Sequence, residues 1–297
     1  MSIRFDGQVA IVTGAGRGMG RDIAQLLARR GASVVVNDYG GAASTLEPGS
    51  ADIARSVADG IVAEGGTAVA DATTVGTGEA ARAIVDRALE AFGRIDVLVN
   101  NAGGSILGEL DAFEDEQVEG VLRTNLIGPY MLMRRVWPHM RAQGYGRIVN
   151  VMSGAMLGMG HNAPYAAGKA GLIGLDADAA LTGAAHGIGV NGLCPVAYSR
   201  LAKGGPPEVA DRLKRLYPPR LAAEAVVYLC SRENEATGEI FSAGGGRVAR
   251  YAMVRNAGVF DAELTADRLA GSIAAVRDLT GATVPARAAG LPDPAAG

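Results

Sequence analysis

Short runs of apolar, largely β-branched residues recur along this chain, and a segment with helical periodicity separates each from the next. They fall at 9–12 (VAIV), 34–36 (VVV), 68–70 (AVA), 97–99 (VLV), 148–151 (IVNV), 190–193 (VNGL) and near Ile240-Phe241. Continuous apolar runs suit strands covered on both faces. Strands that alternate with helices form a parallel sheet with right-handed crossovers. Between the first two runs, Met19, Ile23, Leu26 and Leu27 make one helical stripe, Arg29 and Arg30 fall in its last turn, and Gly31 terminates it. The expected fold is α/β, a single doubly wound domain over residues 1–250 with a seven-stranded parallel sheet.

The first run leads straight into TGAGRGMG at 13–20, and a helix follows. Glycine lets the backbone turn tightly and approach a pyrophosphate, whose charge then faces the free N–H groups at the helix start. This is a Rossmann-type dinucleotide turn with the spacing T-G-x-x-x-G-x-G, and Gly14, Arg17, Gly18 and Met19 are its candidate cofactor contacts. Asp38 ends the second run, where a carboxylate can accept hydrogen bonds from both ribose hydroxyls of NAD and repel the 2′-phosphate of NADP. Arg17 pulls the other way, since a guanidinium can pair with that phosphate. NAD is the expected cofactor and NADP the alternative.

SGAMLGMGHNAPYAAGK, residues 153–169, contains no carboxylate and no arginine, yet places Tyr165 and Lys169 four apart. That spacing puts both on one face of a helix, and Pro164 suits its first turn. An unperturbed tyrosine, with a pKa of about 10, is a poor base at neutral pH. A neighbouring ammonium and an oxidised nicotinamide would both stabilise phenolate and lower that value. Tyr165 is then able to take a proton from an alcohol or return it to a ketone. Ser153, just after the fifth run, is placed to bind the same oxygen.

With these pieces in one chain, residues 5–250 resemble the short-chain dehydrogenase/reductase family. The resemblance rests on TGAGRGMG, NNAG at 100–103, Asn125 in RTNLIGPY, Ser153, and YAAGK at 165–169. It implies that Ser153, Tyr165 and Lys169 act as described, that Lys169 also anchors the ribose, and that Asn125 helps hold a water linking the lysine to solvent. It also implies that Asn101, Ala102 and Gly103 line the cofactor and that Asn100 braces neighbouring strands. Thr74-Val75 are the expected adenine contacts, with Asp71-Ala72 as the other choice. The family's Pro-Gly after the sixth strand is here Pro195-Val196, and its carboxamide-binding threonine is Ser199. VVVNDYGG at 34–41, PVAYSRL at 195–201 and ATGEIFSAGGG at 236–246 are similar to the (3R)-hydroxyacyl-CoA dehydrogenase part of peroxisomal multifunctional enzyme type 2 and its bacterial relatives, without their hydratase and lipid-carrier parts. The resemblance implies a 3-hydroxyacyl-CoA substrate; a hydroxysteroid or terpene alcohol is the alternative within the class. An epimerase or dehydratase with bound NAD, and a non-catalytic NAD-sensing or scaffold protein, are the rivals outside it.

The remaining features set limits. A formal charge of −3 gives no electrostatic reason to expect nucleic acid or an anionic membrane as partner. Residues 148–168 and 179–199 lack charge, but Gly, Pro, His and Asn within them argue against membrane spans. His139, His161 and His186 are too scattered for a metal site, so no metal is expected. Cys194 and Cys230 read as buried free thiols of a reducing compartment, and with no signal peptide the expected location is cytoplasmic. Met152, Met156 and Met159 either wall an apolar substrate or pack in the core. Residues 251–297 are expected to form a helical extension and a loose tail. Its helix spans 265–279, capped by Thr265, with Leu269, Ile273 and Val276 on a buried face. Apolar helices at 117–142 and 165–183 suggest a homodimer or homotetramer, and the segment 198–216 is expected to cover the substrate.

Overall fold

The computed structural model describes residues 2–41, 49–198 and 207–285. Strands β1 (Val9–Thr13), β2 (Ser33–Asn37), β3 (Thr67–Asp71), β4 (Val97–Asn100), β5 (Gly146–Val151), β6 (Ile188–Pro195), β7 (Ile240–Gly244) and β8 (Arg247–Tyr251) form one sheet in the order β3-β2-β1-β4-β5-β6-β7-β8. The pairings from β3 to β7 are parallel. Helices α1 (Gly18–Arg29), α2 (Asp52–Ala63), α3 (Gly78–Phe92), α4 (Asp115–Leu122), α5 (Gly128–Gln143), α6 (Ala163–Ala184), α7 (Pro207–Leu216) and α8 (Pro219–Leu229) lie along the same unit, residues 1–250.

Along β1, β2, β4 and β5 the side chains alternate between two cores, as period-two geometry requires. Ala10, Val12, Val34, Val36, Val97, Val99, Val149 and Val151 join Ile23, Leu27, Val57 and Val226 on one face. Ile11, Val35, Leu98 and Ile148 join Ile84, Leu132 and Val136 on the other. Full burial of a side chain such as Ile23 or Leu27 contributes about 1.5–3 kcal/mol. The chain runs outward from β1 to β3, then returns to place β4 on the other side of β1. The carboxyl ends of β1 and β4 therefore flank the crevice in which doubly wound sheets bind ligands.

Among the described residues the sheet has eight strands, one more than the seven predicted. Gly245 (φ 59°) and Gly246 (φ 82°) make a two-residue turn after β7, and so short a connection between neighbouring strands makes β8 antiparallel to β7. Glu239 and Arg250 pair across this hairpin at 3.3 Å. Every residue of β8 is exposed, so no apolar run marked it in the sequence.

Residues 251–297 form a second unit. Its helix α9 (Ala266–Arg277) is capped as expected, with Thr265 Oγ1 accepting from Arg268 N at 3.2 Å. The buried face is a correction: Leu269 and Ile273 are exposed and no residue of α9 is buried. Among its described residues the unit has this one helix and no second layer of its own against which to bury a stripe. Near the start of the expected tail, Thr283 exchanges two backbone hydrogen bonds with Arg255, and residues 286–297 lie outside the described residues. Of the segment 198–216, residues 207–216 are helix α7 rather than loop, while 199–206 lie outside the described residues. No helix among the described residues is long and apolar enough to cross a membrane.

Gly20 carries the closest approach of α1 to the turn before it: a Cβ there would lie 2.2 Å from the Gly14 carbonyl oxygen. Gly20→Ala is expected to destabilise the fold by about 1–3 kcal/mol in urea unfolding, with weaker nucleotide binding in the same variant.

Candidate active site

The turn after β1 is laced to the loop after β4. Thr13 Oγ1 accepts from the backbone N–H of Asn101 (3.1 Å) and Ala102 (3.0 Å). In return, Asn101 Nδ2 donates to the carbonyls of Thr13 (2.9 Å) and Gly14 (3.0 Å). Gly14 has φ 62°, and a Cβ there would meet Ala102 Cα at 2.9 Å. Gly18 has φ 52° and open space in front of it. Helix α1 begins there with no side-chain cap and no acidic residue in its first turn. Its uncapped N–H groups and the open face of Gly18 fit a pyrophosphate. Met19 is partly buried against the first core.

Asp38 lies beside the same turn, buried. Its two oxygens accept from Gly16 N (2.9 Å) and Gly40 N (2.8 Å). Arg17 extends over the β2 end, where its guanidinium donates to the Gly41 carbonyl at 3.4 Å. At the end of β3, the Asp71 carboxylate is taken up by Asn37 Nδ2 (2.6 Å) and by Thr73 N (3.0 Å) and Oγ1 (3.2 Å). Asn37 also donates to Thr73 O at 2.8 Å. The exposed Thr74 and the half-buried Val75 follow directly.

Deeper in the crevice, Ser153 follows β5 and caps the short turn Gly154–Leu157, accepting from Ala155 N at 3.2 Å. Tyr165 sits in the first turn of α6, where the Ser153 side chain acts on its phenol. Lys169 is buried one turn on, its Nζ donating to Val151 O at 2.6 Å and lying 5.7 Å from the Tyr165 ring centroid. Asn125 lies in a π-helical turn, Arg123–Ile127, between α4 and α5. Wide turns of this kind are frequent at functional sites. Its Nδ2 donates to Gly104 O (2.7 Å) and Val121 O (2.9 Å), and its buried Oδ1 has no protein partner. Gly103 closes the group, since a Cβ on it would stand 2.8 Å from Asn125 Oδ1 and 3.6 Å from Lys169 Nζ. Pro195 ends β6, and Val196 continues the pairing with a 2.8 Å bond from its N–H to Ala243 O. Ser199 lies outside the described residues.

The electrostatics differ from expectation in one respect. The Tyr165 phenol lies above its ordinary value: burial raises it, and the Ser153 side chain pulls back only in part. The same burial lowers the Lys169 ammonium to about 8. With the chain's own groups alone, desolvation dominates, and what offsets it at the phenol comes from Ser153 rather than from the lysine.

Some residues near the site were not anticipated. Ser105 Oγ donates to Asn162 Oδ1 at 3.2 Å, and Gly108 N donates to His161 O at 3.1 Å. These bonds tie the loop after β4 to the approach to α6. Leu107, Leu110, Leu157 and Met159 stand exposed on these two segments, whereas Met152 is core. Met156 packs partly buried, its Sδ 3.8 Å from Cys194 Sγ. Asp176 is fully buried on α6. Its signal in the sequence was an acid, with Asp178 beside it, in a largely apolar stretch of helix.

Residues 8–200 match the family model described as short chain dehydrogenase. A putative short-chain type dehydrogenase/reductase of Mycobacterium tuberculosis is 39% identical over 93% of this chain and 96% of its own length. Peroxisomal multifunctional enzyme A of Dictyostelium discoideum is 37% identical over 97% of this chain, which spans 64% of that protein. A solved 7α-hydroxysteroid dehydrogenase, in complex with NADH and 7-oxo glycochenodeoxycholic acid, superposes with a TM-score of 0.73. It is 32% identical and covers 82% of this chain and 95% of its own.

Ser153→Ala removes the hydroxyl that draws Tyr165 downward. Tyr165 is expected to ionise at still higher pH in this variant, read from phenolate absorbance as the difference from a Tyr165→Phe background.

Proposed function

The chain belongs to the short-chain dehydrogenase family, and from that premise we propose that it is an NAD(H)-dependent oxidoreductase interconverting a secondary alcohol and a ketone. The observation that carries this reading is the convergence of Ser153, Tyr165, Lys169 and Asn125 beside a glycine turn that fits a dinucleotide. Gly14, Arg17, Gly18, Met19, Asp38, Asn101, Ala102 and Gly103 would hold the nucleotide, with Thr74-Val75 at the adenine and Pro195 and Ser199 at the nicotinamide. Asp71 is spent on Asn37 and Thr73, which favours Thr74-Val75 over Asp71-Ala72. When bound, NAD supplies the hydride acceptor, and NADH the donor.

The chain's own residues handle the proton. Ser153 donates to the substrate oxygen and orients it. Tyr165 takes the hydroxyl proton in oxidation and returns it in reduction. The Lys169 ammonium favours the phenolate and binds the ribose. Asn125 Oδ1, buried with its acceptor capacity unused, is suited to hold a water between the lysine and solvent. NAD over NADP follows from Asp38, whose carboxylate beside Gly16 would repel a 2′-phosphate.

The proposed substrate is a 3-hydroxyacyl-CoA. Support comes from the likeness to a peroxisomal multifunctional enzyme and from the exposed Leu107, Leu110, Leu157 and Met159, which suit an apolar chain. The hydroxysteroid dehydrogenase likeness and the same apolar rim support a hydroxysteroid as the second reading. Exposed Ile127, Tyr130 and Leu181 on and beside α5 and α6 support a homo-oligomer. The two buried free thiols suit a reducing compartment such as the cytoplasm.

NADH formation with a panel of (3R)- and (3S)-hydroxyacyl-CoAs and hydroxysteroids tests the reading. Turnover with one class is expected, falling by about 10²- to 10⁴-fold in Tyr165→Phe. Bound nucleotide with no turnover on any alcohol would favour a sensing role instead. Asp38→Ala is expected to raise KM for NAD and lower it for NADP, measured with the same substrate.

A further inference from the structure

One buried acid has no part in the proton chemistry described so far. Asp176 lies seven residues after Lys169 on α6, two helical turns along the same face. Its Oδ1 accepts from Asn150 Nδ2 on β5. Asn150 Oδ1 in turn accepts from Asn100 Nδ2 on β4 at 2.7 Å. The other carboxyl oxygen, Oδ2, is buried with no hydrogen-bond partner. It faces β6 at Gly192, where a Cβ would lie 3.3 Å from it and 2.6 Å from Met152 Sδ. A carboxylate in such a place is costly unless a positive charge offsets it. Among the described residues, the cation that bears on it is Lys169.

The converse holds for Lys169. Around it are Tyr165 on its own helix, Cys194 on β6, the Val151 carbonyl on β5, and Asn125 and Gly103 at the front of the site. Burial pushes the Cys194 thiol up to about 12, so it carries no charge at neutral pH. Tyr165 is likewise neutral there. Asp176 is thus the one acid, among the described residues, able to supply a negative charge to the buried ammonium near neutral pH.

The geometry points to Asp176 as a positioning residue, the internal counter-charge that keeps Lys169 protonated inside an apolar site. This rests on reading Lys169 as the ammonium of the proposed dehydrogenase. The two groups share one electrostatic account. Burial raises Asp176 to about 7 and lowers Lys169 to about 8, and each ion eases the ionisation of the other. The paired state spans the narrow window between these values. Below it Asp176 takes up a proton; above it Lys169 gives one up.

The chain has three lysines, Lys169, Lys203 and Lys214, so titration of the protein labelled with 13C at lysine Cε reads Lys169 directly. Lys169→Arg assigns the signal. In the wild type the Lys169 resonance is expected to titrate near 8 with a second inflection near 7 from Asp176. Asp176→Asn retains an acceptor for Asn150 and removes the charge. In that variant the inflection should vanish and the Lys169 midpoint should fall by about one unit. A single wild-type inflection, or an unmoved midpoint in Asp176→Asn, would overturn the inference. A merely structural Asp176 would lower the unfolding midpoint of Asp176→Asn and leave the Lys169 titration in place. No substrate or cofactor is present in this experiment. Absence of dehydrogenase turnover would therefore count against the proposed function without touching the lysine–aspartate coupling, and the reverse holds as well.

Discussion

Four hydrogen bonds between Thr13-Gly14 and Asn101-Ala102 hold the carboxyl ends of β1 and β4 to one another. The site depends on this contact because the chain reverses its direction of travel across the sheet between these two strands. On one side the lacing sets the turn that opens α1, with Gly14 pressed against Ala102. On the other it carries the loop through Gly103 to the contact with Asn125 and Lys169. The glycine turn and the Asn125–Lys169 group are thereby fixed by one set of backbone and amide bonds.

Burial is the second organising force, and at this site it opposes ionisation. Tyr165 is pushed up, Lys169 down and Asp176 up, all chiefly by desolvation. Hydrogen bonds and charges then decide how much is recovered: Ser153 for the phenol, Asn150 for the carboxyl, and Asp176 and Lys169 for each other. The Lys169 and Asp176 values are drawn toward neutrality, which suits proton exchange at neutral pH, whereas the phenol moves away from it. A site with more solvent around it would leave the phenol and the ammonium near their ordinary values.

Much of the scaffold was legible because it depends on local pattern. The run VAIV followed by TGAGRGMG reads as strand, turn and helix because each residue's demand is local: β-branched side chains, positive φ, and a helix start free of acids. Thr265 was recognised as a cap for the same reason. What escaped notice lacked any local signature. β8 is fully exposed and has no apolar run. The Leu269 and Ile273 stripe on α9 has helical period, but period does not say whether anything covers it. The clamp between Ser105 and Asn162 joins residues 57 positions apart.

The sequence by itself determined the alternation of strands and helices from β1 to β7, apart from α7, together with the glycine turn and the Tyr165–Lys169 spacing, because these follow from side-chain period and backbone preference over a few residues. Only the tertiary structure decided that Asp71 is spent on Asn37 and Thr73, that Asn125 keeps one buried oxygen unpaired, and that Asp176 lies next to Asn150 within reach of Lys169's charge. The reason is that hydrogen bonding and desolvation depend on which atoms meet across the sheet, and those distances are set by the packing of elements far apart in the chain.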